Sequence, residues 1–322
     1  MSLYTQRLIA LGLSLMVGLP AWTQTFPNRP LKVVVPFAAG GPADVVAREF
    51  GQKLAIELGQ PIVVENQGGG AGVGALGTVV RSEADGHTLL FAASGNIVLQ
   101  PQLSKSGGAD LLNKLRPISL VSTSPHVLVV SSQLPVRTLK EFIDYAKAHP
   151  GKVNYASAGV GGVAHLGMAY LAAVTGTDMT HVPYRGTAAA VADLASGQIQ
   201  AMFSSYPSLQ AAIDKGLVRA LGMSAKAGAG PAAKLPIIAS VVPGFEFTTW
   251  YAFYAPAATP QAVVDKLNTS IHKVVADRAL EAKLEVQGIE LMANSPQDMQ
   301  QLAKQDTDKW AKEIQRAHIK VD

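Results

Sequence analysis

The chain has 322 residues, 48% hydrophobic and 16% charged, which excludes a disordered chain and at this length favours two domains over a single core. It contains no cysteine, which excludes disulfides, thiolate zinc sites, thiol catalysis and a lipid-anchored cysteine. The formal charge of +4 comes without an arginine-rich run or aromatic-basic interleaving, which argues against nucleic acid as a partner.

The first residues read as an export signal. Arg7 precedes Leu8 to Leu19, an uncharged apolar run too short to span a bilayer, and Thr23-Gln24-Thr25 offers small side chains to a signal peptidase. A cut after Thr25 is expected, making residues 1–25 the signal and leaving a freely diffusible protein, most simply in a bacterial periplasm.

Next, short β-branched runs alternate with amphipathic segments, the pattern of a parallel sheet covered by helices. Strands are expected at Leu31 to Val35, Ile62 to Glu65 and Thr88 to Ala92, and helices at Pro42 to Leu58 and Val73 to Ser82. In the first helix Val46, Phe50, Leu54 and Leu58 form one stripe, and Gly59 stops it. The turn before it, Phe37-Ala38-Ala39-Gly40-Gly41, leads into Pro42 at the first helical position and Asp44 at the third. Such a turn leaves free N–H groups that can seat an anion, and Asp44 can satisfy one of them; an ordinary capped helix start would have the same sequence. Gly72 to Gly77 matches G-x-G-x-x-G, but the acid expected after the next strand is missing, where Ala92, Ala93 and Ser94 stand. A dinucleotide is therefore not expected, and the loop is read as close packing beside a cleft. Ser94 and Asn96 join the candidate ligand residues.

A second α/β group follows, with strands expected at Val127 to Ser131, Val153 to Ala156, Thr180 to Val182, Gln200 to Phe203 and Arg219 to Met223. Thr138 and Glu141 form a capping box for a helix over Leu139 to Ala148. A second glycine turn, with Ser157, Gly159, Gly161 and Gly162, leaves a strand and opens the helix that holds His165. His165 could donate to a carboxylate or be bonded within its own domain. A third turn, Tyr184 to Thr187, places Thr187 as a cap through Gly186, with Asp193 inside the helix; Ser204 and Tyr206 follow a strand end, where α/β folds gather ligand groups. Trp250 to Ala255 is another strand, and Thr259-Pro260 and Ser295-Pro296 each start a helix with proline at the first helical position. His126 to Val130 and Trp250 to Ala255 are the candidates for strands crossing between domains. The expected division is 26–125 for the first domain, 126–248 for the second and 249–322 for a helical return to the first. No metal-ligand spacing among the histidines and no hydrolase elbow is present, so neither cofactor nor metal is expected.

These residues resemble a known family, the periplasmic solute receptors of tripartite tricarboxylate transporters, often called Bug proteins. The likeness runs through Pro30 to Asp44 with Ala47-Arg48, Gly59 to Asn66, Asp85 to Leu90, Tyr155 to Leu166, His181 to Gly186 with Asp193-Leu194, and Trp250 to Leu267 with Asn268. It implies a non-catalytic, two-domain periplasmic-binding-protein fold of the type II Venus-flytrap kind with two crossing hinge strands. It also implies one ligand carboxylate held by the turns at Phe37 to Asp44 and Ser157 to His165, and delivery to a permease of one large and one small subunit. The receptor is expected to be a monomer whose ligand is a small organic acid, with aromatic acids and dicarboxylates among the options. Ala39 and Ala189 replace prolines common in the pattern, Ala156 a glycine and Gly162 a serine; Ser204 stands where an aspartate is frequent, a change that should disfavour an ammonium-bearing ligand. A ligand-presenting sensor and, less well supported, a periplasmic hydrolase using Ser157 are the rival readings.

Overall fold

The computed structural model describes residues 26–69, 72–103, 108–157, 159–184 and 186–316; the expected export signal and Arg185 lie outside the described residues. The first α/β run is β1 (Leu31–Val35), α1 (Pro42–Leu58), β2 (Ile62–Asn66), α2 (Val73–Val80) and β3 (Thr88–Ala93). A π-helical turn, Gly95–Leu99, leads into α3 (Gln100–Leu103), α4 (Gly108–Leu112) and the long strand β4 (Leu115–Ser131). The second run is α5 (Leu139–Ala148), β5 (Val153–Ser157), α6 (Val163–Thr175), β6 (Met179–Pro183), α7 (Thr187–Ala195), β7 (Ala201–Ser205), α8 (Tyr206–Asp214) and β8 (Val218–Met223). After two 3-10 turns come β9 (Thr248–Pro256), α9 (Gln261–Val275), α10 (Arg278–Glu285), β10 (Glu290–Leu291) and α11 (Pro296–Arg316).

β1 runs parallel to β2 and β3, and β5 runs parallel to β6 and β7. β4 ties these groups together: residues 115–125 pair with β9, and residues 126–131 pair with β7 and β8. Only the second half of β4 was expected from sequence. Its first half carries Pro117, Ser119, Ser122, Ser124 and Pro125 and reads as a loop, yet it pairs through register shifts near Pro117/Ser119 and Leu120/Ser122, the irregularities at which a sheet accepts proline. The chain crosses back beside β4, where the Phe247 N–H donates to the Ser224 carbonyl at 3.0 Å and Thr248 then pairs with Pro125. Because Ala93 lies opposite Tyr251 and Ser205 lies opposite His126, the C-terminal ends of β3 and β7 both finish at this crossing. The glycine turns that follow β1 and β5, strands parallel to these, are thereby placed at its edge.

The stripe on α1 is buried as its spacing requires: Val46, Phe50 and Leu54 are inaccessible and pack with β1, β3, β9, α9 and α10. Gly51 faces Ile62 and Val64 of β2, and Gly59 ends the helix at φ 68°. The Thr138 hydroxyl accepts from the Glu141 N–H at 3.2 Å, while Glu141 reaches back to the Arg137 N–H at 2.6 Å, one residue earlier than a standard capping box. At α9 the cap shifts as well: Pro260, expected at the first helical position, occupies the N-cap with ψ 143°, and its carbonyl accepts from Val263 and Val264. The last helix, α11, touches both halves. Asp306 accepts from the Trp250 indole at 2.7 Å, Lys309 donates to the Glu246 carbonyl at 2.5 Å, and Trp310 meets Phe247 and Tyr170 edge-on.

Candidate functional site

The first glycine turn is an exposed loop on a buried footing: Ala38, Ala39 and Gly40 face solvent, whereas Asp44 is buried. Gly40 takes φ +82°, a value that L side chains rarely adopt, and Gly41 is the N-cap of α1 at φ −82°, ψ 170°. The Asp44 carboxylate accepts from the Gly40 N–H at 2.9 Å and pairs with Arg48 at 2.9 Å. Burial raises the Asp44 pKa, but hydrogen bonds from Arg48, Gly40 and Asn66 outweigh it and hold the group below the usual carboxylate range. Asn66 also donates to the Phe37 carbonyl at 3.2 Å, and behind the loop a Cβ on Gly68 would stand 2.9 Å from the Ala38 nitrogen, so only glycine fits there.

The second turn repeats this geometry. Gly161 takes φ +74°, Gly162 caps α6 at φ −74°, ψ 163°, and His165, the third helical residue as Asp44 is, accepts from the Gly161 N–H through Nδ1 at 3.1 Å. The helices begin alike, with Val45 donating to the Gly41 carbonyl and Leu166 to the Gly162 carbonyl, both at 3.0 Å. Among the described residues the N-cap side chain bonds neither helix, so the first-turn amides of Ala43 and Asp44 in α1, and of Val163, Ala164 and His165 in α6, have no cap acceptor and are the groups that could serve an anion. Below the second turn the Ser157 hydroxyl donates to the Gly159 carbonyl at 2.8 Å and accepts from the Gly159 N–H at 3.2 Å, with His181 Nε2 at 2.7 Å. His181 stacks on His165 with ring centroids 3.8 Å apart, and both rings lie beside Tyr155. Burial, reinforced by the neighbouring His181, lowers the His165 pKa to about 4; burial lowers that of His181 too.

A chain of close contacts joins the two turns. A Cβ on Gly72 would meet Asn96 at 2.7 Å and Pro36 at 3.0 Å, and one on Gly95 would meet Val163, the first residue of α6, at 3.5 Å. Gly72 is thus held between Asn96 of the π-helical turn and Pro36 at the root of the first turn, while Gly95 of the same π-helical turn lies beside the start of α6. Asn96 there accepts from the Ala93 N–H at 3.2 Å, and Ser94, 5% exposed, has a hydroxyl without a partner among the described residues. The third turn is closed on itself. The Tyr184 hydroxyl donates to Asp193 at 2.7 Å, and burial together with Asp193 pushes its pKa up to about 12. Gly186, at φ 101°, is the N-cap there, so Thr187 is the first helical residue and not the cap that its sequence suggests. Ser204 is buried at the end of β7, and the Tyr206 ring lies against Gly288, in the turn between α10 and β10. Arg48, Asn66 and His181 lie in stretches that carry the resemblance but, like Gly68, are given no part in the site by the sequence; the pairing of β5 with β6 puts His181 opposite Tyr155.

The family model described as the tripartite tricarboxylate transporter family receptor matches residues 46–319. The solved structure of R. palustris Rpa4515 with adipate is similar with a TM-score of 0.85 at 30% identity, covering 92% of this chain and 99% of that one. The periplasmic binding protein BugD is similar with a TM-score of 0.81 at 32% identity over 92% and 99% of the two chains. MatC from Rhodopseudomonas palustris with bound malate gives 0.79 at 31% identity over 90% of this chain and 100% of that one.

Proposed function

The chain belongs to the tripartite tricarboxylate transporter receptor family, a family of solute-binding receptors and not of enzymes, and we propose that it captures a small organic carboxylate in the periplasm and presents it, as a monomer, to a permease of one large and one small subunit. The observation that carries this reading is the pair of turns with one backbone shape, each ending in an uncapped helix N-terminus and linked through the π-helical turn. A helix N-terminus favours an anion by about 0.3 to 1 kcal/mol, up to about 2 when partly buried. Each N–H bond to a charged acceptor adds about 1.5 to 3 kcal/mol, so two turns closing on one carboxylate can reach about 8 kcal/mol, the micromolar range. That Rpa4515 was solved with adipate and MatC with malate supports a carboxylate.

In this reading residues 26–125 and 249–322 form one lobe, residues 126–248 form the other, and closure about the crossing strands is what the permease senses. The turns Phe37 to Asp44 and Ser157 to His165 grip the carboxylate through the first-turn amides of their helices; Ser94, Asn96 and Ser204 meet the rest of the ligand. With a serine at position 204, and with Asp44 and Asp193 engaged by Arg48 and Tyr184, none of the candidate ligand residues offers a free acid to pair an ammonium group. Titration calorimetry against adipate, malate, benzoate and glutamate tests the proposal. Micromolar binding of at least one plain acid and none of glutamate is expected; silence with every acid, or tight binding of glutamate alone, overturns it.

A further inference from the structure

We propose that His165 and His181 are paired positioning residues: one imidazole holds Gly161 just before α6, the other holds Ser157 at the end of β5, and their stacking locks the two bonds into one unit that aims the open amides of α6. This rests on the reading of that turn as a carboxylate seat. His165 fixes the loop at Gly161 and His181 fixes it at Ser157, four residues earlier, while the rings lie 3.8 Å apart and 13° from parallel.

Hydrogen-bond accounting assigns both tautomers. The Gly159 carbonyl is only an acceptor, so the Ser157 proton points to it, and Ser157 must accept from His181, which is therefore protonated on Nε2. His165 accepts at Nδ1 and so also carries its proton on Nε2. Two neutral rings stack without repulsion, and burial keeps both neutral. The first turn does the same work with other groups: Asp44 bonds Gly40 and is itself held by Arg48. The second cradle thereby gains a rigid footing with no added charge near the bound anion.

The experiment separates ring from nitrogen. His165→Phe and His181→Phe keep a stacked ring and remove the bond. His165→Asn restores an acceptor at the Nδ1 position, and His181→Gln restores a donor at the Nε2 position. Amide hydrogen exchange at Gly159 and Gly161 is read in the full chain without ligand, alongside calorimetry with adipate, malate and benzoate and a thermal melt. Either Phe variant is expected to speed exchange at Gly161 and to weaken acid binding about tenfold, the size set by the loss of one buried hydrogen bond. The matched amides return both to within about threefold, and the exchanged pair, His165→Gln and His181→Asn, does not. His165→Asp keeps the exchange protection, as Asp44 does for Gly40, but loses the acid through repulsion. Unchanged exchange in both Phe variants, or equal rescue by matched and exchanged amides, overturns the pairing. Failure of all three acids with the native chain counts against the carboxylate reading alone; the exchange rates then decide the imidazole proposal by themselves.

Discussion

The two glycine turns share a backbone and differ in the side chain that closes it. Both place a glycine at positive φ before an extended N-cap glycine, and both return the third helical side chain to the first glycine's N–H. In the first turn that acceptor is a carboxylate neutralised by Arg48; in the second it is an uncharged imidazole backed by another. The difference teaches that the back-bond is a matter of geometry, while its charge is set by the neighbours. A carboxylate seat can tolerate one anionic footing only because a guanidinium stands beside it.

Acid should separate the turns most strongly. The folded pKa of His165 is lowered to about 4, below its unfolded value of 6.5, so the unfolded chain binds more protons across that window. The stability that His165 contributes is complete above pH 6.5 and is lost as the pH falls through about 4, with an upper bound of about 3 kcal/mol before solvent screening reduces it. Asp44 is lowered as well, so its contribution persists to below pH 3.8. Urea unfolding of the native chain and of His165→Asn at pH 7 and 4.5 should give a flatter profile for the variant; parallel profiles would break the comparison. Gly161→Ala comes next, because φ +74° costs an L residue about 1 to 2 kcal/mol, and acid binding should fall about tenfold or more. Asp44→Ala removes the back-bond of the first turn and leaves Arg48 with its bond to Asn66 alone; a loss of about 1 kcal/mol of stability is expected, whereas Asp44→Asn keeps an acceptor and should hold within a few tenths of that of the native chain. Thermal melts distinguish the two.

Sequence made local chemistry legible and left tertiary chemistry hidden. β1 and α1 were readable to their end residues because Pro42, the Val46 to Leu58 stripe and Gly59 each act within one helical turn, and both glycine turns were readable for the same reason. The bond of Ser157 to His181 was not, since it depends on β6 lying beside β5 in one register. Nor was the first half of β4, whose prolines and serines favour a loop until β9 supplies a partner. The residues located the turns but not which amides each leaves open. Gly40 and Gly161, at the centre of the motifs, have their N–H groups engaged by their own helices.

That redistribution gives the finest test. Pro42 has no N–H, so the first turn of α1 offers Ala43 and Asp44, while that of α6 offers Val163, Ala164 and His165. The second turn should therefore carry more of the binding. Gly41 and Gly162 allow a fair comparison, since both have extended backbones and an added Cβ would lie 3.7 Å from the Ala38 carbonyl oxygen or 3.5 Å from that of Gly159, ordinary contacts in each case. Alanine is the poorer N-cap, so each variant should lose up to about 1 kcal/mol of stability, and by a similar amount in both, which leaves binding as the quantity that separates them. Calorimetry should then show acid binding weakened about twofold by Gly41→Ala and about fivefold by Gly162→Ala, in proportion to the amides each methyl crowds. Equal losses would mean that donor count does not rank the turns. A larger loss at Gly41 would place the anion closer to α1, with the Arg48 guanidinium supplying what Pro42 withholds.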